Sequence, residues 1–447
     1  MKDRQSMFRR TTTAVALVAA SAIALSGCAT SAGQSADDET TITFRLWDDQ
    51  AAKAYEESFA AFEKENPGIH VDINVVGWND YWTKLRTDVA GKTMDDVFWV
   101  NNAYFGAYAD SGNLVDVTDT LGSDAADDWQ DSVVDQFTRD GKLWGVPQLY
   151  DAGIAVYYNK ALLDAAGVDP ATLDDLTWSP DPATDTYLPV AKKLTKDAAG
   201  VDAATAGFDG TPVTYGTNIA YDLQAIVLPF IGSNGGTYQD GDEFAFADPK
   251  TVEAFTYMVD AVNTAKVAPS AADTNGNPDF SRDQFLQGKM AMFQSGLYNL
   301  KNIADGADFE WGVAMMPAGP AGRVSVTNGI VAAGNAGSEH PEAVKKLLEW
   351  LGTSEGNGYL GESGAAVPGV KSAQKQYFDY WEGEGVSLDP FFDVIEGHDT
   401  IPAPQGADFG AGFAAYDPIF QEIFKGSIDP ATGLQRGQDA ANAAIDG

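Results

Sequence analysis

The chain has 447 residues, with 28 Lys and Arg against 65 Asp and Glu, a formal net charge of −37. So acidic a balance excludes nucleic acid and anionic membrane surfaces as partners, because both are held by basic patches, and it reads as a solubility device. With one cysteine no internal disulfide can form, so the fold rests on apolar cores, and a chain of this length divides into about two domains.

The first residues join a basic start (Lys2, Arg4, Arg9, Arg10) to the apolar run AVALVAASAIAL, Ala14 to Leu25. That run is too short to span a bilayer, which takes about 20 apolar residues. Its flanks are those of a secretory signal peptide. The residues Leu25-Ser26-Gly27-Cys28 resemble a bacterial lipoprotein signal. The resemblance implies that residues 1–27 are removed and that Cys28 becomes the lipidated first residue of an exported protein on the outer face of the cytoplasmic membrane. One acyl chain holds only marginally, so more than one is expected there. Residues 28–40, rich in Ser, Ala, Gly and Asp, read as a flexible tether.

Thr41–Leu46 then alternates like a strand, Ala51–Glu65 has helical periodicity, Ile69–Val76 alternates again, Tyr81–Ala90 is helical and Val97–Val100 is a short apolar strand. This βαβαβ order predicts a parallel sheet with right-handed crossovers. A second series begins near Trp144 with a strand through Ile154–Asn159 and a helix from Lys160. A Pro/Asp-rich loop (TWSPDPATDTYLP) leads to helices at Leu188–Lys196, Ala220–Pro229, Pro249–Ala265 and Asp279–Gln287. Strands at Met290–Phe293, Glu310–Met315 and Val324–Ala332 follow, then the helix Pro341–Leu351. There is no internal repeat, and the economical interpretation is two α/β lobes.

Ligands of open α/β sheets sit beyond the carboxyl ends of the strands. Here Trp47 follows the first strand, Trp78 the second, and Trp99 closes the third, each with polar neighbours: Asp48, Asp49 and Gln50; Asn79 and Asp80; Asn101 and Asn102. Aromatic faces beside carboxylates and amides suit a sugar, whose C–H faces are apolar and whose hydroxyl rim needs donors and acceptors. Several aromatics favour several sugar units, hence an oligosaccharide.

The stretch GKLWGVPQLYDAGIAVYYNKALLDAAGV (141–168) resembles the segment of bacterial extracellular solute-binding proteins of the maltose-binding type in which the chain crosses between lobes. In order, FAAFEKENPGIHV, DDVFWVNNAYFGAYADSGNLVDV, FLQGKMAMFQSGLYNL, HPEAVKKLLEWL and GESGAAVPG agree with that family, over residues 41 to 430. The resemblance implies an α/β, two-lobed periplasmic-binding-protein-like (Venus-flytrap) fold with discontinuous lobes and a hinge. It divides the chain into an N-terminal lobe of 41–150 plus about 306–352 and a C-terminal lobe of 151–305 plus about 353–447. It further implies a monomer that captures an oligosaccharide and delivers it to an ABC permease, with no cofactor. Carried over residue by residue, it makes Trp99 a sugar-stacking aromatic, Asn102 a polar contact, Tyr298 a stacking aromatic of the second lobe and Asp151 a hydroxyl acceptor near the hinge. In APQGADFGAGF it brings Asp408, Phe409 or Gly410 to the sugar, and it sets Tyr221, Asp222 and Gln224 near the ligand.

A secreted glycoside hydrolase would need two carboxyl groups about 5 to 10 Å apart across a cleft. Pairs such as Asp48 and Asp151 can always be proposed in so acidic a chain and discriminate nothing. Serine-histidine catalysis finds no G-x-S-x-G elbow among three histidines. An anchored peptide or adhesion receptor would show a charged pocket or repeats. DTNGNPDFSRDQ (273–284) is spaced like a calcium loop, but Pro278 and Gln284 occupy the positions that need Gly and Glu, so it reads as a turn and helix cap, and no metal is expected.

Overall fold

A computed structural model describes residues 39–396 and 400–446. The stretch expected to be a leader, Cys28 with its expected lipid, and His398 lie outside the described residues.

The first sheet holds β1 (Thr40–Leu46), β2 (Ile69–Val75), β3 (Val97–Asn101), β4 (Val146–Asp151) and β8 (Asn328–Gly334), in the order β2-β1-β3-β8-β4. β1 runs parallel to β2 and β3, as the βαβαβ pattern requires, and β8 inserts antiparallel between β3 and β4. Every residue of β3 and β8 is buried, which explains why both read as continuous apolar runs. Helix α1 (Asp49–Glu65) starts at Asp48, whose carboxylate accepts from the N–H groups of Gln50 (2.9 Å) and Ala51 (2.7 Å). Its face Ala51, Ala52, Tyr55, Ser58, Phe59 and Phe62 packs on this sheet. Helices α2 (Trp78–Gly91) and α3 (Asn102–Asp110) follow β2 and β3.

The second sheet is antiparallel, with β5 (Ala155–Asn159) between β6 (Met292–Ser295) and β7 (Trp311–Met315). Around it pack α4 (Pro249–Asn263), α5 (Leu300–Gly306), α8 (Gln374–Gly383), α9 (Phe409–Phe424) and α10 (Pro430–Ile445). The helix expected over Ala220–Pro229 is a π-helical turn, Leu223–Val227, running into Leu228–Ser233.

Two boundaries differ from the sequence reading. Residues 306–326 belong with the second lobe, because β7 pairs residue for residue with β5 from Trp311↔Asn159 to Met315↔Ala155. The first lobe also extends past residue 353. Following α6 (Pro341–Leu351), α7 (Ser354–Glu362) packs on α1 through Ser58, whose hydroxyl donates to Gly356 O (2.8 Å) and accepts from Trp350 Nε1 (2.9 Å). The chain crosses between lobes directly after β4, where Ile154 N donates to the buried Ser325 Oγ (2.8 Å) and Gly153 N to Phe391 O (2.8 Å). Gly153 is obligatory there, since a Cβ would meet Val394 Cγ1 at 2.1 Å.

Candidate functional site

The carboxyl ends of β1, β2 and β3 carry an aromatic wall. Trp47 is half-buried and edge-packed by Trp78 (5.3 Å), Tyr81 (4.9 Å) and Trp99 (5.1 Å), with Trp82 tilted at 5.5 Å. Trp78, the first residue of α2, is 46% exposed. Trp99 lies beneath Trp47, 1% exposed, with Nε1 donating to Tyr55 Oη (3.1 Å). The expectation that Trp99 stacks on a ligand meets a ring enclosed in the first-lobe core, because β3 is covered on both faces, and the accessible indoles are Trp47 and Trp78.

Asp48 stands at the base of this wall. Burial raises its pKa against the two N–H bonds that lower it. At the crossing point Asp151 ends β4 opposite Asn328. Burial pushes its carboxyl up to about 7, a bond from Gln224 lowers it, and the charge of Asp48 raises it further. From the second lobe, Tyr298 sits on a 3-10 turn with its ring over Gly296, where a Cβ would come within 2.4 Å of Tyr298 Cε1. Burial raises the Tyr298 hydroxyl's pKa strongly, with Asp222 and Asp151 adding to the effect. Asp222 caps the π-helical turn through Ala225 N (2.8 Å) and so fixes Gln224 beside Asp151. Asp48, Asp151, Asp222, Gln224 and Tyr298 thus share one space under the aromatic wall. Burial raises the pKa of all three carboxyl groups, so a further negative charge there is costly, and their oxygens offer hydrogen-bond partners to hydroxyl groups.

The remaining expected site residues are engaged elsewhere. Asn102 Nδ2 donates to Pro404 O (3.1 Å), bridging the lobes. Asn101 is buried at the end of β3, and its Oδ1 finds no hydrogen-bond partner among the described residues. Tyr221 is engaged within the second lobe: its hydroxyl donates to Asp417 Oδ1 (2.7 Å) and its ring packs on Phe420 and Phe424. Phe409, 3% exposed, is enclosed by Tyr104, Phe244 and Phe413 and is no stacking platform, while Asp408 is exposed at the start of α9 with no side-chain capping bond. The lobes also meet where Gln50 Nε2 faces Asn302 Oδ1 and Asp305 Oδ2, each at 3.4 Å. Among the described residues no group of His, Cys, Asp and Glu is arranged to hold a metal, and no helix is long and apolar enough to cross a membrane. In the calcium-like stretch Asp273 accepts from Ser270 Oγ (2.7 Å) and Asn275 Nδ2 donates to Gln421 O (3.2 Å).

Residues 48–358 match the family described as bacterial extracellular solute-binding protein. The chain belongs to that family. Among solved structures, Mycobacterium tuberculosis UspC is similar at 55% identity and TM-score 0.71, over 90% of this chain and all of that one. The Listeria monocytogenes ABC substrate-binding protein Lmo0181, in complex with cycloalternan, is similar at 25% identity and TM-score 0.77, over 92% of this chain and all of that one. The maltodextrin-binding protein MdxE of Bacillus subtilis is 26% identical over 96% of this chain and 95% of its own. The two-lobed fold of these solute-binding proteins is the one built here from two sheets and a crossing segment.

Sequence reasoning missed the residues that hold this solute-binding cleft in shape. Tyr55 and Tyr104 carried no local signal. Trp82 and Tyr104 stack face to face at 4.0 Å, and Tyr104 meets Phe409 edge-on at 5.6 Å, so the pair joins first lobe to second. The aromatic spacing on α2 (Trp78, Tyr81, Trp82) was the one available hint, since those positions share a helix face.

Proposed function

We propose that this solute-binding protein captures a neutral oligosaccharide between its lobes and delivers it uncut, as a monomer, to the membrane-spanning subunits of an ABC importer. In the same reading a lipid on Cys28 anchors it to the outer face of the cytoplasmic membrane. What supports the proposal is the wall of Trp47 and Trp78 next to Asp48, whose charge acts on Asp151, itself bonded by Gln224 and acting in turn on Tyr298 of the second lobe. Indole faces take the apolar side of a pyranose, and the carboxylates take its hydroxyls. Family membership and the saccharide-binding relatives support the same reading. The site residues proposed are therefore Trp47, Asp48, Trp78, Asp151, Asp222, Gln224 and Tyr298, in lobes that comprise residues 40–151 with 328–362, and 155–326 with 374–446.

A thermal-shift panel tests this with malto-oligosaccharides, other neutral di- to tetrasaccharides, sugar phosphates and peptides. A saccharide at a hundred times its Kd stabilises by about 2.7 kcal/mol. Stabilisation by a neutral saccharide that is recovered intact is the expected outcome. Stabilisation by peptides alone, or hydrolysis of the bound sugar, contradicts the proposal.

A further inference from the structure

A chain of buried polar groups runs from the aromatic wall to the crossing strand. Trp99 Nε1 donates to Tyr55 Oη (3.1 Å), and Tyr55 Oη donates to Gln148 Oε1 (2.7 Å). Gln148 Nε2 donates to Val146 O and Pro147 O (3.1 Å each). Asn357 Nδ2 and Gly369 N donate to Gln148 O (2.9 and 3.0 Å). Tyr55 and Trp99 are 1% exposed, Gln148 and Asn357 0%.

Such a relay is costly to bury, and an apolar pair of similar shape would fill the space without the desolvation cost. What polar groups add is a single register. At one end Trp99 supports Trp47 at 5.1 Å, and its backbone carbonyl accepts from Tyr81 Oη (2.6 Å), a second ring of the wall. At the other end Gln148 lies three residues before Asp151, on the strand that leaves the first lobe.

We propose that Tyr55 is a positioning residue: its hydroxyl, shared between Trp99 and Gln148, locks the indole wall of the cleft to the strand that becomes the hinge. The functional side of the claim rests on the reading that Trp47 touches the saccharide. The mechanical side does not. Without the hydroxyl, Trp99 Nε1 is left without a partner in a dry core and Gln148 Oε1 keeps only the long contact from Asn357 Nδ2 (3.4 Å), and the wall and the crossing segment loosen together.

The test compares Tyr55→Phe, Tyr55→Phe/Gln148→Leu and Tyr157→Phe in the sugar-free full protein. Tyr157 is an equally buried tyrosine of the second lobe whose hydroxyl donates to Gly296 O (2.9 Å). Two readouts are taken: amide hydrogen exchange over residues 46–52 and 146–154, and acrylamide quenching of Trp47, isolated by difference from the same protein carrying Trp47→Phe. Tyr55→Phe should speed exchange at least tenfold in both segments and raise Trp47 quenching, and Tyr157→Phe should do neither. The double variant, which also strips Val146 O, Pro147 O and Leu351 O of the Gln148 Nε2 donor, should lose further stability, with both segments staying fast. Exchange that rises only around residue 55, or protection that returns in full in the double variant, overturns the proposal. Neither readout needs a saccharide, so a silent saccharide panel counts against the function alone.

Discussion

Asp151 holds its proton against water, and replacing it tests the electrostatics of the cleft. Burial, with the charge of Asp48 as a lesser contribution, moves the carboxyl from 3.8 to about 7. Below about pH 4 the folded and unfolded chains both carry the proton and nothing is lost. As pH rises from 4 to 7 the unfolded chain releases it first, so the folded state is progressively destabilised, and above 7 the cost is constant. At about 1.36 kcal/mol per pH unit, the gap corresponds to a ceiling of about 4 kcal/mol. Water reaches the carboxyl from the cleft, and we take about 2 kcal/mol as the working figure. Asp151→Asn keeps the volume and an amide that can bond Gln224, and it removes the ionisation. It should stabilise the sugar-free protein by about 2 kcal/mol at pH 8 and by almost nothing at pH 3.5, while weakening saccharide binding through the lost acceptor. Urea unfolding at both pH values reads this directly. Destabilisation at pH 8, or a gain equal at both pH values, refutes the reasoning.

Gly106 faces Ala407 Cα across the lobes at 3.2 Å from where its Cβ would stand, so Gly106→Val should wedge α3 off the 404–409 segment. Saccharide affinity should fall about tenfold, and small-angle scattering of the saturated variant should give a larger radius of gyration than wild type; an unchanged radius and affinity would count against α3 as a closing surface. Trp99→Ala should cost about 3 to 5 kcal/mol of stability, the loss for a fully buried aromatic, measured by urea unfolding. A loss under 1 kcal/mol with binding abolished would return Trp99 to the ligand. Cys28→Ala should release the protein from the membrane fraction with saccharide affinity intact, and retention in that fraction would remove the lipid anchor from the account.

The alternation of strand and helix was legible through β1, α1, β2 and α2 because each leaves part of its surface uncovered, which stamps a period on the sequence, and through β3 because burial on both faces makes it a short apolar run. The strand ends followed, and with them the positions of Trp47, Asp48 and Trp78. Whether an indole faces the cleft or the core was not legible. Trp47 and Trp99 both stand at strand ends with polar residues within three positions, and the stacking of one above the other decides which is covered. The place of residues 311–315 was hidden for a related reason, since it depends on pairing with β5, far away in the chain. Phe409 misled because a long aromatic helix, α9, offers several registers, and its packing on Phe244 and Tyr104 selects the buried one. The Tyr55–Gln148 bond joins residues 93 apart, beyond any local pattern.

The central claim is that a neutral saccharide lies between the indole wall of the first lobe and Tyr298 of the second. A crystal structure of the protein with the tightest-binding saccharide of the thermal-shift panel tests it most directly. The account expects sugar rings against Trp47 or Trp78, hydroxyls on Asp48, Asp151 or Gln224, and Tyr298 on the opposite side. A saccharide bound outside the cleft, or one in the cleft that touches neither Trp47 nor Asp151, would contradict it.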